Sequence, residues 1–126
     1  MSIFDHVTIR VSDFEKSERF FGRTLAALGI KPLFSVQRVD GPVAGYGRDG
    51  TSLFITGGKP LTETCHLAFR ARSQAEVDAF HEAALSAGGQ DNGAPGVRPK
   101  YHANYYAAYA IDPDGNNIEA VFHGTP

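Results

Sequence analysis

Asp5-His6-Val7-Thr8-Ile9-Arg10-Val11 is echoed sixty positions later by Cys65-His66-Leu67-Ala68-Phe69-Arg70-Ala71, with His66 and Arg70 in the places of His6 and Arg10. In both stretches apolar residues alternate with the others, the period-two signature of a half-buried strand. Ile3, Val7, Ile9 and Val11 share one face of the first strand; Phe4, His6, Thr8 and Arg10 share the other. Two strands that look like copies predict a chain built from two repeated halves.

Each strand leads into a capping box, Ser12-Asp13-Phe14-Glu15 and Ser73-Gln74-Ala75-Glu76, whose hydroxyl and carboxylate would satisfy the free amides of a first helical turn. The first predicted helix carries Phe14, Phe21, Leu25 and Leu28 inward, and the second Val77, Phe80, Ala84 and Leu85. Phe20, Leu25 and Gly29 align with Phe80, Leu85 and Gly89 at the same offset of sixty. Strand-like runs follow: Phe34 to Val39, Val43 to Gly47 and Ser52 to Thr56, then Tyr105 to Ile111 and Asn117 to Phe122. The turn Asp49-Gly50 matches Asp114-Gly115 at an offset of sixty-five, so the extra residues fall in Gln90 to Asn104. Gly93, Pro95, Gly96 and Pro99 make that segment an expected irregular loop and a place for substrate contacts. The result is an α+β chain, expected to be one domain over 1–126 with repeat halves of about 1–58 and 62–126. Gly57-Gly58-Lys59-Pro60 lacks the spacing of a phosphate loop and reads as the linker between them.

Twelve Lys and Arg against fourteen Asp and Glu, with no run of like charge, argue against nucleic acid as a partner. No apolar stretch is long enough to span a bilayer, and the first residues lack the basic start of a signal peptide, so a cytoplasmic protein without membrane contact is expected. Cys65 is the single cysteine, which excludes an intrachain disulfide and a thiolate cluster; beside Leu67 and Phe69 it is expected to be a small core residue. A metal site must therefore use histidine and carboxylate.

In the last strand Glu119 alternates off the apolar face of Ile118, Ala120 and Phe122, as His6 and His66 do off theirs. A single strand histidine is accounted for by hydrogen bonding at a core edge. Histidines at equivalent positions of two divergent halves, with a glutamate in the same register, are not. If a pseudo-two-fold axis relates the halves, His6, His66 and Glu119 could be brought to one point, within one chain or across two chains of a dimer, where they would bind a divalent ion and leave coordination positions open for water or substrate.

The chain resembles the vicinal oxygen chelate superfamily, which includes glyoxalase I, extradiol dioxygenases, fosfomycin-resistance thiol transferases and bleomycin-binding proteins. Asp5 to Asp13 resembles its first strand and helix start, and Tyr106 to Glu119, through Asp112-Pro113-Asp114-Gly115, resembles its closing hairpin. The resemblance implies paired βαβββ modules forming curved mixed sheets around a metal cavity, with ligands His6, His66 and Glu119. It further implies a divalent cofactor (iron, manganese, nickel or zinc), a small substrate chelating it through vicinal oxygens, and a homodimer. Where glyoxalase I members carry a fourth ligand, the repeat alignment puts Phe54, so the triad is more similar to those of extradiol dioxygenases and fosfomycin enzymes. Thr8, two residues after the first ligand, favours the latter; the absence of tryptophan disfavours them. Isomerase, thiol transferase and dioxygenase chemistry all stay open, and the alternative is a non-catalytic binding protein of the bleomycin type.

Thr8, Phe54 and Tyr105 are the expected pocket residues. Tyr101, His102 and Tyr106 are the catalytic candidates, forming with Tyr105 an aromatic lid in which His102 would move protons as a general acid or base. Arg10 and Arg70 would steer an anion or form ion pairs at the sheet's end. His81 is expected to be solvated, and His123 to have no special role.

Overall fold

The structure, a computed structural model, describes residues 4–58 and 64–124. Ile3 and the Lys59-Pro60 part of the linker lie outside the described residues. The order of elements is β1 (Val7–Val11), α1 (Phe14–Ala26), β2 (Lys31–Arg38), β3 (Gly41–Gly47), β4 (Leu53–Gly57), β5 (His66–Arg70), α2 (Gln74–Ser86), β6 (Gln90–Val97), β7 (Tyr105–Ile111) and β8 (Asn117–His123). This is the repeated βαβββ module, and it makes two mixed sheets ordered β1-β4-β3-β2 and β5-β8-β7-β6. The ladder register carries the repeat offsets. Thr8 pairs with Phe54 in the first sheet, and Ala68 with Glu119 in the second.

Each helix covers one side of its own sheet, and α1 packs against α2, so the core runs between the helices and the covered sheet faces. Along α1, Ser17, Phe20, Phe21, Thr24 and Leu25 are buried, a stripe at helical spacing. Among the described residues, the hydroxyls of Ser17 and Thr24 have no hydrogen-bond partner. Because burying an unsatisfied hydroxyl costs free energy, Thr24→Val is expected to raise stability by about 1 kcal/mol in urea denaturation. A lower midpoint would mean that the hydroxyl is bonded after all.

Several local expectations are corrected. The N-cap of α1 is Asp13, whose carboxylate accepts from Lys16 N–H at 3.1 Å. Ser12 instead donates its backbone N–H and its hydroxyl to Asp114 in the turn of the other module. In α2 Ser73 caps as expected, but Glu76 binds the amide and guanidinium of Arg72. The left-handed residue that closes α2 is Gly88, at φ +93°; Leu85 is 41% exposed although its counterpart Leu25 is fully buried. The segment from Gln90 is a loop only in its second half, 98–104: residues 90–97 form an edge strand, and its breakers become register shifts at Gly93 and Gly96, where an edge tolerates them. Cys65 is exposed, not in the core. His81 is tied to Asp91 at 2.9 Å with its side chain only 12% exposed, because α2 lies against β6. No described helix is long and apolar enough to cross a membrane.

Candidate functional site

The side of each sheet turned away from its helix is open. In β1 Thr8 and Arg10 are exposed, with His6 just before them; in β5 His66, Ala68 and Arg70 are exposed. Within β5-β8-β7, adjacent strands put His66, Glu119, Tyr105 and Tyr109 on one open face. Glu119 lies opposite Tyr109 in the β7–β8 ladder, and Tyr105 lies opposite His123.

Glu119 is the centre of this face. Its side chain is 2% exposed, whereas that of His66 is 53% exposed, and His66 Nε2 lies 2.7 Å from Glu119 Oε1. The Tyr105 hydroxyl donates to the other carboxylate oxygen. Burial first, then the hydrogen bond and charge of Glu119, push the Tyr105 phenol far above its usual value, so it remains a donor. Burial and the same carboxylate also raise Tyr109. Glu119 thus faces an imidazole and a phenol, and among the described residues no lysine or arginine forms an ion pair with it.

An aromatic patch borders the carboxylate. Tyr101 packs at a tilt against Tyr105 with ring centroids 4.8 Å apart, and His102 meets Tyr105 edge-on at 5.4 Å. His123, given no role from the sequence, packs against both: it is stacked on His102, with His102 Nε2 3.0 Å from His123 Nδ1. His102 Nδ1 accepts the Asn104 N–H, so its proton sits on Nε2 and is donated to His123. His123 was unremarkable in sequence because only β7–β8 pairing brings it to Tyr105. Tyr109 was passed over for the same reason.

The chain brings together His66, Glu119, Tyr105, Tyr101 and His102. Tyr106 is on the opposite side of β7, where its hydroxyl donates to Asp78 of α2 at 2.6 Å; adjacent strand residues point to opposite faces, and Tyr105 took the open one. His6 also stands apart, in the first sheet. Its Nδ1 is 2.7 Å from Asp5 and its ring is edge-on to Phe54 at 5.3 Å. Among the described residues no three metal-ligating side chains converge, since β1 and β5 belong to sheets that share no strand pair. The expected meeting of all three ligands is therefore not made within one chain.

The family model of the Glyoxalase/Bleomycin resistance protein/Dioxygenase superfamily matches residues 3–120. The chain belongs to this superfamily. A glyoxalase/bleomycin resistance protein from Albidiferax ferrireducens T118 is 35% identical, with a TM-score of 0.82 over 96% of this chain and 99% of that one. The genomically encoded fosfomycin resistance protein of Listeria monocytogenes is 23% identical, with a TM-score of 0.70 over 99% of this chain and 95% of its own. An antibiotic binding protein from Streptomyces sp. CB03234 is 22% identical, with a TM-score of 0.67 over 98% of both chains. The last two likenesses are of fold alone. No curated protein matches the chain. The glyoxalase-superfamily fold thus frames an open-faced site of one imidazole, one buried carboxylate and an aromatic border.

Proposed function

We propose that the protein is a divalent-metal-dependent enzyme of the glyoxalase superfamily. In this reading His66 and Glu119 hold the ion, His6 of a second copy completes the triad, and the substrate is a small molecule offering two vicinal oxygens. The observation that carries it is the buried Glu119 carboxylate, turned to an open face beside an exposed imidazole and matched, among the described residues, by no lysine or arginine. A buried carboxylate without a cation is costly, and a divalent ion would relieve that cost. The nitrogen and oxygen are 2.7 Å apart in a hydrogen bond, and opening it by about half an ångström would give the separation of neighbouring ligands on a tetrahedral ion. Members of the superfamily generally use divalent metals. The open face bearing His6, Thr8 and Arg10 in one module, and the one bearing His66 and Glu119 in the other, support closure of the site by a second copy.

When bound, the ion would supply Lewis-acid stabilisation of the anion developing on the chelated oxygens. The chain's own residues do the rest. Tyr105 orients Glu119, Tyr101 shields it from water, and His102 holds a proton at Nε2 in a hydrogen bond to His123 Nδ1. Thr8 and Phe54 would form the facing wall. Isomerisation, thiol addition and ring-opening by dioxygen are the reaction classes open to such a site, and the identity of the native ion would sort them, since ring-opening needs iron or manganese.

Protein purified without chelator is expected to carry close to one ion per chain by elemental mass spectrometry, and to run as a dimer in light scattering. A chain that stays empty after soaking with manganese, iron, nickel and zinc would leave the proposed enzyme without its electrophile. One observation favours a second reading, a non-catalytic binding protein. The first sheet carries an open groove of about 520 Å³ lined by Thr8, Arg10, Arg38 and Phe54 among others. In that case an aromatic ligand would raise the melting temperature of metal-stripped protein as much as that of loaded protein.

A further inference from the structure

Beside His66 the second sheet has a groove of about 310 Å³, lined by Asn92, Gly93, Arg98, Lys100, Tyr101, Tyr109 and Asn117. Asn117 is the ladder partner of His66, so one wall of the groove neighbours the candidate metal ligand. Its other end is cationic. The Arg98 guanidinium lies 5.4 Å from the centroid of the Tyr109 ring, which is itself 6.3 Å from that of His66. Lys100 Nζ lies 5.1 Å from the centroid of Tyr101.

Arg98 is held in place. One of its terminal nitrogens donates to Ala94 O at 2.7 Å, and the side chain lies over β6 where two residues lack side chains: a Cβ at Gly93 or Gly96 would come within 3.3 or 3.0 Å of the guanidinium. The register shifts of β6 fall at these same glycines. Arg98 is half-buried, yet among the described residues no carboxylate is within ion-pair distance of it. A fixed guanidinium with unused donors, packed on an aromatic face, matches a carboxylate, phosphonate or sulfonate oxygen pair.

We infer that Arg98 is the specificity-determining residue of the site, and that the substrate carries an acidic group one aromatic ring's width from the oxygens it offers the metal. This deepens the proposed metal-dependent reading and rests on it for the second half of the statement. If Arg98 were only a clamp on β6, its loss would weaken neutral and anionic ligands alike.

The test is isothermal titration with two probe pairs. Benzoate and benzamide are titrated into metal-stripped protein; catechol and 3,4-dihydroxybenzoate are titrated into manganese-loaded protein. Benzoate is expected to bind roughly ten- to hundredfold more tightly than benzamide, the usual range for a hydrogen bond to a charged group. Arg98→Ala should erase that preference and Arg98→Lys should keep part of it, with melting temperatures checking that both variants fold. Equal binding of benzoate and benzamide, or an unchanged preference in Arg98→Ala, would overturn the inference. A gain from the catechol hydroxyls with none from the carboxylate also overturns it while leaving the metal reading intact. A gain from the carboxylate with none from the hydroxyls supports Arg98 and counts against the metal reading instead.

Discussion

Glu119→Gln is expected to move metal affinity and metal-free stability in opposite directions. Gln keeps the shape of Glu119 and can hydrogen-bond His66 and Tyr105, but it removes the negative charge from a side chain that is 2% exposed. Changing residues that merely orient ligands commonly costs 10–100-fold in metal affinity, so losing the charged ligand itself should cost at least about a hundredfold. The metal-free protein should respond the other way. A buried carboxylate whose partners are an imidazole and a phenol is poorly compensated, and neutralising it should raise stability by about 1 kcal/mol. Competition with a chelating dye reads the first quantity, and urea unfolding after metal removal reads the second. Unchanged affinity would remove Glu119 from the ligand set. A loss of several kcal/mol in the metal-free protein would instead make the carboxylate structural.

Phe20→Ala should cost about 3–5 kcal/mol, the usual penalty for emptying an aromatic site in a core. Phe20 is fully buried and meets Phe21 edge-on at 5.2 Å. Its ring also reaches the end of α2 in the other module: a Cβ at Gly89 would sit 2.6 Å from Phe20 Cε1. The cavity would therefore open where the two modules meet, and neither helix can move alone to fill it. With native domains stable by only about 5–15 kcal/mol, this is a large fraction of the total, corresponding to a fall in melting temperature of about 10–20 °C. Val36→Ala, at a residue 43% exposed, is the control and should change stability by less than about 0.5 kcal/mol. A Phe20→Ala cost below about 1.5 kcal/mol would mean that the junction is not closely packed. Gly89→Ala should be damaging even alongside Phe20→Ala, because the carbonyls of Ala84 and Ile111, at 2.8 and 3.1 Å, crowd the same Cβ.

Much of the fold was legible because its signals are local. Alternation identified β1 and β5, helical spacing identified the buried stripe of α1, and β7 runs over the residues its apolar run predicted. The offsets of sixty and sixty-five reappear as ladder pairs, since a repeat in sequence fixes equivalent positions in each module. Errors arose where a distant partner outbids a local rule. Ser12 had the sequence of a cap but bonds Asp114, about a hundred residues away, and Asp13 caps in its place. The glycines and proline of β6 read as a loop, but pairing with β7 holds them in a strand with register shifts.

The candidate site divides in the same way. That His6, His66 and Glu119 would lie off the apolar faces was determined by the sequence, because a strand's period of two assigns each side chain to a face. Which of them meet was decided by tertiary structure. β5 and β8 are neighbours in one sheet, so His66 reaches Glu119, while β1 lies in the other sheet and keeps His6 away. The same pairing gathers Tyr105, Tyr109 and His123 around the carboxylate, and the bare glycines of β6 give Arg98 its place over Tyr109. Alternation along one strand is set by the backbone of that strand alone; the neighbours a side chain acquires depend on strand order, which is fixed only when the whole chain packs.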